Sequence, residues 1–379
     1  MLALQRAAGN RAVSGLVLAR RTILMREGSS GPEVLELQMD LNALDDVQTA
    51  LELDGDFGPQ TAKALREFKR SRAPLTPDAI VDAATREALA MALDAPQDKT
   101  KLAAKVFSLG VGAYRRKDYA HAFDYFQRAA ELSDEPDILF NQAQALRMLG
   151  GRRKEAIALY EAYVQRGSKG ERLVEALDFI GDLSGPSKTG DADKDAAMAK
   201  ALHEKGKETA YGGDYRHALD YFEQASQLAD SPATTFDMGL MLYAMGGRRE
   251  EAIAMLHRFL KGPKTGGQLQ KVFNMLDELQ DPGWGGDEQA RARTAFDKAA
   301  AAFRKGDYGH ASDWFGQASS IVENPDLLFN RAQALRKMGG RRDDAMALYE
   351  RYLASNPQGR HRADAERALR ALRQFGAMP

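Results

Sequence analysis

The chain has 379 residues, with 53 Lys and Arg against 54 Asp and Glu, and it contains no cysteine. This length exceeds the ~100–200 residues of a typical domain, so we expect several domains. The balanced charge argues against a general nucleic-acid binder, and the missing thiols exclude disulfides and thiolate metal sites. With six histidines and no apolar run near ~20 residues, we predict no metal, no cofactor and no membrane span.

Residues 1–23 form a basic N-terminal segment. Its longest apolar stretch precedes two arginines, the reverse of the order in a Sec signal, so we predict no such signal. The tract from Leu4 to Val13 reads Leu-Gln-Arg-Ala-Ala-Gly-Asn-Arg-Ala-Val and resembles a short motif of bacterial extracellular contractile injection systems. The resemblance implies a location in the bacterial cytoplasm or release with an injection particle.

Residues 24–93 have the pattern of three helices joined by glycine loops. Pro32 suits a first helical turn, and apolar residues from Val34 to Leu44 follow at helical spacing. Two glycine turns follow before the second helix. This order resembles the small three-helix peptidoglycan-binding domain found beside bacterial wall hydrolases. The resemblance implies contacts with a wall ligand, for which the candidate residues are Asp54, Asp56, Phe57 and Thr61.

Two departures from that family's pattern bear on wall binding. Asp45-Asp46-Val47 replaces the usual Gly-aromatic pair after the first helix, and Phe68-Lys69 replaces the usual Phe-Gln. Both changes leave the predicted fold intact. The domain is therefore expected to bind the wall, to serve as a spacer or to act as a pro-segment.

The rest of the chain repeats one pattern three times. A phrase that begins Asp118-Tyr119 recurs at 214–215 and 307–308, and Gly-Gly-Arg-Arg recurs at 150–153, 246–249 and 339–342. Within the first unit, Ala122 and Ala156 lie 34 residues apart. A helix–turn–helix period of this length is typical of tetratricopeptide repeats.

This region resembles six tetratricopeptide repeats in three pairs, each followed by one more amphipathic helix that covers the apolar end. We predict an all-α fold, with a three-helix peptidoglycan-binding-like domain before three five-helix modules. The breaker-rich linkers indicate that the modules bend relative to one another. The predicted boundaries are a linker at 94–102, module 1 at 103–183, a linker at 184–195, module 2 at 196–280, a linker at 281–287 and module 3 at 288–379.

The repeated histidines and the repeated arginine pairs each have a structural and a functional interpretation. His121, His217 and His310 share one repeat position, and we favour a structural role over a ligand-binding or pH-sensing role. The arginine pairs after each Gly-Gly either grip an acidic partner or lie in solvated turns, where following carboxylates suit a helix start. For the pairs we favour the solvated turn.

The first helix of a tetratricopeptide hairpin lines the concave, peptide-binding face in that family. The partner-binding candidates implied here are Asn141, Gln144, Arg147, Asn330, Gln333 and Arg336. The family's carboxylate clamp has Lys before the first Asn, where this chain has Phe140 and Phe329, and module 2 has Asp237 in place of that Asn. We therefore do not expect capture of a free C-terminus.

No nucleotide-binding, zinc-protease or nucleophile-elbow motif is present. We therefore predict a non-enzymatic adaptor that binds protein partners through its repeats and peptidoglycan through its N-terminal domain. The motifs favour an accessory of a contractile injection system. Two alternatives remain open: an injected cargo or effector of such a system, and an accessory of a cell-wall hydrolase.

Overall fold

A computed structural model of the chain describes residues 24–166, 170–262, 266–280, 288–356 and 358–377. Eighteen helices and two two-residue strands account for the regular structure in these ranges, which confirms the predicted all-α fold. The chain divides into two compact units, residues 1–109 and 110–379.

Residues 24–93 of the first unit form three helices around one apolar core. Its elements are β1 (Met25–Arg26), α1 (Pro32–Ala43), α2 (Pro59–Arg70), β2 (Ile80–Val81) and α3 (Ala83–Leu93). The strands pair antiparallel, with Met25 opposite Val81. Pro32 and Pro59 stand in the first turn of their helices, where a missing N–H costs no hydrogen bond.

Each of the three repeat modules contains five helices. Module 1 contains α4 (Lys99–Arg115), α5 (Tyr119–Leu132), α6 (Pro136–Leu149), α7 (Arg153–Gln165) and α8 (Glu171–Ser184). Module 2 contains α9 (Ala192–Tyr211), α10 (Tyr215–Leu228), α11 (Pro232–Met245), α12 (Arg249–Lys261) and α13 (Gly266–Gln280). Module 3 contains α14 (Glu288–Arg304), α15 (Tyr308–Ile321), α16 (Pro325–Met338), α17 (Arg342–Ser355) and α18 (Arg362–Phe375).

Small residues let the helices of each hairpin approach closely. Ala122 and Ala156 are fully buried, as the repeat pattern predicts. At Gly206 a Cβ would lie 2.6 Å from the ring of Phe222, so even alanine would clash there. Close packing of this kind is what a helical hairpin array requires, because only nearby helices can interlock their side chains.

The modules are joined by the same three hydrogen bonds at each junction. Between modules 3 and 1, His121 donates to the carbonyl of Arg336 at 3.1 Å, and the N–H of Gly340 donates to Asp124 at 2.8 Å. Arg152 donates to the carbonyl of Gly340 at 2.8 Å. The equivalent pairs are His217–Arg147, Gly151–Asp220 and Arg248–Gly151 between modules 1 and 2, and His310–Tyr243, Gly247–Asp313 and Arg341–Gly247 between modules 2 and 3.

The three modules therefore close into a ring with approximate threefold symmetry. The last helix, α18, packs against α5 of the first module, and Arg128 donates to the carbonyl of Gln374 at 3.2 Å. Bending of the modules relative to one another, which the linkers indicate, stays a prediction. Linker composition describes only the local chain, whereas the complementary surfaces come from residues far apart in sequence.

Candidate functional site

The predicted partner surface of module 1 lies on α6. Asn141, Gln144 and Arg147 follow at intervals of three residues, and all three side chains are partly exposed. Gln144 accepts hydrogen bonds from the Arg147 guanidinium at 2.9 and 3.2 Å, and that guanidinium stacks on the ring of Phe179, 4.0 Å from its centroid. The Asn141 amide donates to the carbonyl of Asp137 at 2.7 Å. These contacts hold a polar row in fixed positions.

Module 3 repeats this row on α16. Arg336 donates to Gln333 at 2.8 Å, as Arg147 does to Gln144. Arg336 is more buried than its counterpart, at 9% exposure, while Asn330 and Gln333 are partly exposed. The structure thus repeats the Arg–Gln pairing of the predicted rows on two modules, with each row on its own helix.

Module 2 has different chemistry at these positions. Asp237 stands where the other modules have Asn, and its carboxylate lies 3.2 Å from His203 Nε2. Burial raises the pKa of Asp237, although the nearby His203 opposes this. Tyr243 stands in place of the arginine and donates a hydrogen bond to Glu278. A partner that contacts modules 1 and 3 in one way would therefore meet a different surface on module 2.

The repeated histidines have a structural role, as favoured from the sequence. The Nε2 atom of His121 faces a backbone carbonyl, so it must carry a proton, and Nδ1 lies 2.9 Å from the Asp118 carboxylate. Burial lowers the pKa of His121, but the hydrogen bond and charge of Asp118 outweigh burial and the net shift is upward. The imidazolium form is thus suited to both of its acceptors.

The second arginine of each Gly-Gly-Arg-Arg phrase donates a hydrogen bond to a carbonyl near the end of a helix. Arg153 is 3% exposed and donates to the carbonyl of Leu183, near the end of α8, at 2.7 Å. The corresponding bonds in the other modules join Arg249 to Leu279 and Arg342 to Leu372. The prediction of solvated turns is wrong for Arg153 and Arg342, because both side chains are buried and bonded to carbonyls in the last turn of a helix, whereas Arg249 is partly exposed.

The wall-ligand candidates lie beside a groove of about 620 Å³ in the first unit. Asp54, Asp56 and Thr61 all line it, so the structure brings three of the four candidates together. Glu67 also lines the groove and accepts hydrogen bonds from Thr49. Burial raises the pKa of Glu67, but the hydrogen bonds from Thr49 outweigh this effect and leave the pKa below its ordinary value.

The structure differs from the prediction at Phe57. Its side chain is 2% exposed and belongs to the apolar core, so it supports the loop and offers no surface to a ligand. Gln38, which the sequence pattern did not single out, organises the groove instead. Its side-chain amide donates to Asp54 at 2.6 Å, and its side-chain carbonyl accepts from the N–H of Gly55 at 2.9 Å. The feature of the sequence that could have identified Gln38 is its position as a polar residue beside the apolar stripe of α1.

Metal-ligand clusters and membrane spans are both missing from the described part of the chain. Within those ranges, no group of three or more His, Asp or Glu side chains has the geometry to hold a metal ion. No helix in the same ranges is long and apolar enough to cross a membrane.

Two protein families match parts of the chain. The peptidoglycan binding domain family matches residues 30–89, which include α1, α2 and the glycine loops. The tetratricopeptide repeat family matches residues 137–166 and 326–359, the hairpins that carry Asn141 and Asn330. The chain therefore combines a peptidoglycan-binding-type domain with tetratricopeptide repeats. The injection-system motif lies outside the described residues.

Several solved structures resemble the chain at low identity. They include the Cut9–Hcn1 hetero-tetramer of the APC/C at 14% identity, the P58(IPK) TPR domain at 14%, and the TPR2AB domain–pHSP90 complex of yeast Sti1 at 19%. The matches cover 69%, 71% and 72% of this chain and 42%, 88% and 83% of those chains, with TM-scores of 0.21, 0.23 and 0.18. The chain thus spans less than half of the first of these. No curated protein sequence matches the chain.

Proposed function

We propose that the protein is a non-enzymatic adaptor that binds protein partners on α6 and α16. The observation that carries this proposal is the repetition of one polar row on two modules while the third module departs from it. Asn141 and Asn330 occupy equivalent helical positions, and both lie in hairpins that match the tetratricopeptide family. Side-chain amides at such positions can bond to the backbone of an extended peptide, which favours a partner with little structure of its own.

The partner surface is tested by replacing both asparagines. A hydrogen bond to a partner contributes about 0.5–1.5 kcal/mol, so Asn141→Ala with Asn330→Ala should weaken partner binding roughly tenfold or more. The melting temperature should change little, because both side chains are partly exposed. Binding is measured by quantitative pull-down from the producing bacterium.

A matched control uses the same substitution elsewhere in the array. Asn274 is exposed on α13, outside the two rows, and Asn274→Ala should leave recovery of the partner unchanged. Equal recovery by wild type and the double variant would contradict the assignment of the partner surface to α6 and α16.

The first unit is proposed to contact peptidoglycan through its groove. Asp56 and Lys63 are exposed and line the groove beside the glycine turn, where they offer an acceptor and a donor to a glycan or peptide stem. We expect the full chain to co-sediment with insoluble peptidoglycan. The variant Asp56→Ala with Lys63→Ala should pellet several-fold less, because it removes two groups that can hydrogen-bond to the wall.

Glu87 provides the control for wall binding. It is exposed on α3 and does not line the groove, so Glu87→Ala should pellet like wild type. If the groove variant pelleted as well as wild type, or if the wild-type chain failed to pellet, wall binding through this groove would be refuted and the unit would serve as a spacer.

The Leu4–Val13 tract supports a role as an accessory of a contractile injection system. In that role the ring would hold protein partners while the first unit contacts the cell wall. The test is whether the chain co-purifies with injection particles and is released from them when residues 4–13 are replaced by a Gly/Ser sequence. If the chain is absent from purified particles, the accessory role is excluded. The adaptor would then act outside an injection system.

A further inference from the structure

A cavity of about 280 Å³ lies where the three Gly-Gly-Arg-Arg turns of the ring meet. Each module contributes the first arginine of its phrase to the lining, namely Arg152, Arg248 and Arg341. A fourth arginine, Arg216, lines the same cavity from the start of α10. The cavity is thus surrounded by guanidinium groups that come from all three modules.

The three repeated arginines are already paired. Arg152 donates to both oxygens of Glu155 at 2.6 and 2.9 Å and to the carbonyl of Gly340 at 2.8 Å. The other two repeat this arrangement, with ion pairs to Glu251 and Asp344. Each guanidinium has five N–H donors, so these contacts leave further donors on each group.

Arg216 breaks the threefold pattern. The equivalent positions carry Ala120 in module 1 and Gly309 in module 3, so only module 2 adds a charge here. No hydrogen bond or ion pair joins the Arg216 guanidinium to a described residue, and the side chain is partly buried. Burial lowers the pKa of Arg216, and the charges of Arg248 and Arg152 lower it further.

Arg216 differs from the repeated arginines in having no bonded carboxylate. Four arginines and two carboxylates, Glu155 and Glu251, line the cavity, and the charge of the nearby Asp214 favours Arg216 without a hydrogen bond or ion pair between the two side chains. A partly buried cation beside two like charges is unfavourable unless an anion compensates it. The volume of about 280 Å³ lies just below the ~300–1,000 Å³ typical of small-molecule sites, so the occupant must be small.

We propose that this cavity binds a small oxyanion of the size and charge of inorganic phosphate. Arg216 supplies the principal donors, because its guanidinium is bonded to no described residue, and Arg152 and Arg248 supply further N–H groups. Planar guanidinium groups suit this role because they can bond two oxygens of one anion at once. Because all three modules line the cavity, a bound anion would stabilise the closed ring.

The proposal is tested with the full chain and inorganic phosphate. In phosphate-free buffer, titration with phosphate should give saturable binding by calorimetry and should raise the melting temperature by a few degrees. Sodium chloride at matched ionic strength should not reproduce the effect, because it screens charge without occupying the site. The variant Arg216→Ala should abolish the calorimetric signal.

We expect Arg216→Ala to fold, because alanine already stands at the equivalent position, 120, in module 1. Arg351→Ala is the matched control, since Arg351 is exposed on α17 and does not line the cavity. Its phosphate response should equal that of wild type. No saturable binding by the wild-type chain, or the same binding by Arg216→Ala and wild type, would overturn the proposal.

Discussion

At the scale of single residues, Asp124 shows how one side chain joins two modules. It is 2% exposed, and one carboxylate oxygen accepts the N–H of Gly340. Burial raises the pKa of Asp124 to about 7, although His121 and the Gly340 N–H oppose the shift. Burial likewise raises the pKa of Asp220, to about 6, and that of Asp313. The ring junctions therefore bury carboxyl groups whose pKa values are raised above the ordinary value of aspartic acid.

We expect the ring to lose stability as the pH rises. A carboxyl group with a raised folded-state pKa favours the fold below its unfolded value of 3.8, and this contribution disappears as the pH passes the folded value. The pKa of His121 is also raised, so its contribution is lost above its ordinary value of 6.5. Between about pH 4 and pH 7, the unfolded and folded values of this carboxyl group, Asp124→Asn should gain a few degrees of melting temperature relative to wild type.

The control for this pH effect is Asp297→Asn, which changes an exposed carboxyl group on α14. Its melting temperatures should follow those of wild type across the whole pH range. Melting curves for Asp124→Asn that run parallel to wild type would show that Asp124 does not titrate in this range.

At the scale of elements, the turn before each fourth helix of a module determines how closely the next module approaches. The Gly-Gly turns adopt positive φ angles, which glycine enters without strain. Gly246 has a φ of 62°, and a Cβ there would lie 2.5 Å from the backbone nitrogen of His310. Backbone atoms of α15 cannot move away as a flexible side chain would, so the turn requires glycine for two separate reasons.

Two alanine substitutions separate these reasons. Gly213 also has a positive φ, of 85°, but a Cβ there would meet nothing within 4 Å. Gly213→Ala should therefore lower the free energy of unfolding by ~1–2 kcal/mol from backbone strain alone. Gly246→Ala should lower it by clearly more, because it adds a clash between modules 2 and 3. Urea denaturation measures both, and equal decreases would contradict the close approach at this junction.

At the scale of the whole molecule, ring closure couples the ends of the array. Arg342 of module 3 is buried and donates to Glu131 of α5 as well as to the carbonyl of Leu372 in α18. A linear solenoid transmits stability only between neighbouring repeats. In a closed ring, the last module also stabilises the first.

Hydrogen exchange can detect this coupling. Arg342→Ala removes charge-assisted hydrogen bonds worth about 1.5–3 kcal/mol each, so α5 and α18 should both exchange roughly tenfold faster or more. Arg351→Ala, on the same helix but exposed, should leave both unchanged. Faster exchange confined to module 3 would indicate an open array.

Much of the architecture follows from local sequence. Proline and glycine positions, helical spacing of apolar residues and the 34-residue period identify the three-helix domain and the fifteen repeat helices, because each depends on nearby residues. The candidate rows containing Asn141 and Asn330 follow from the same period. In each row the arginine follows the glutamine by three residues, and side chains at this spacing are neighbours on one face of a helix.

Only the tertiary structure shows which residues far apart in the sequence lie next to one another. Phe57 lies in the core and Gln38 organises the groove, although both belong to recognisable helical or loop patterns. Arg216 stands beside Arg152 and Arg248 because three turns from separate modules meet. Ring closure itself depends on the fit between α18 and α5, and local sequence patterns do not encode such a fit. The repeated unit is thus a property of neighbouring residues, whereas the ring arises from the packing of surfaces that lie far apart in the chain.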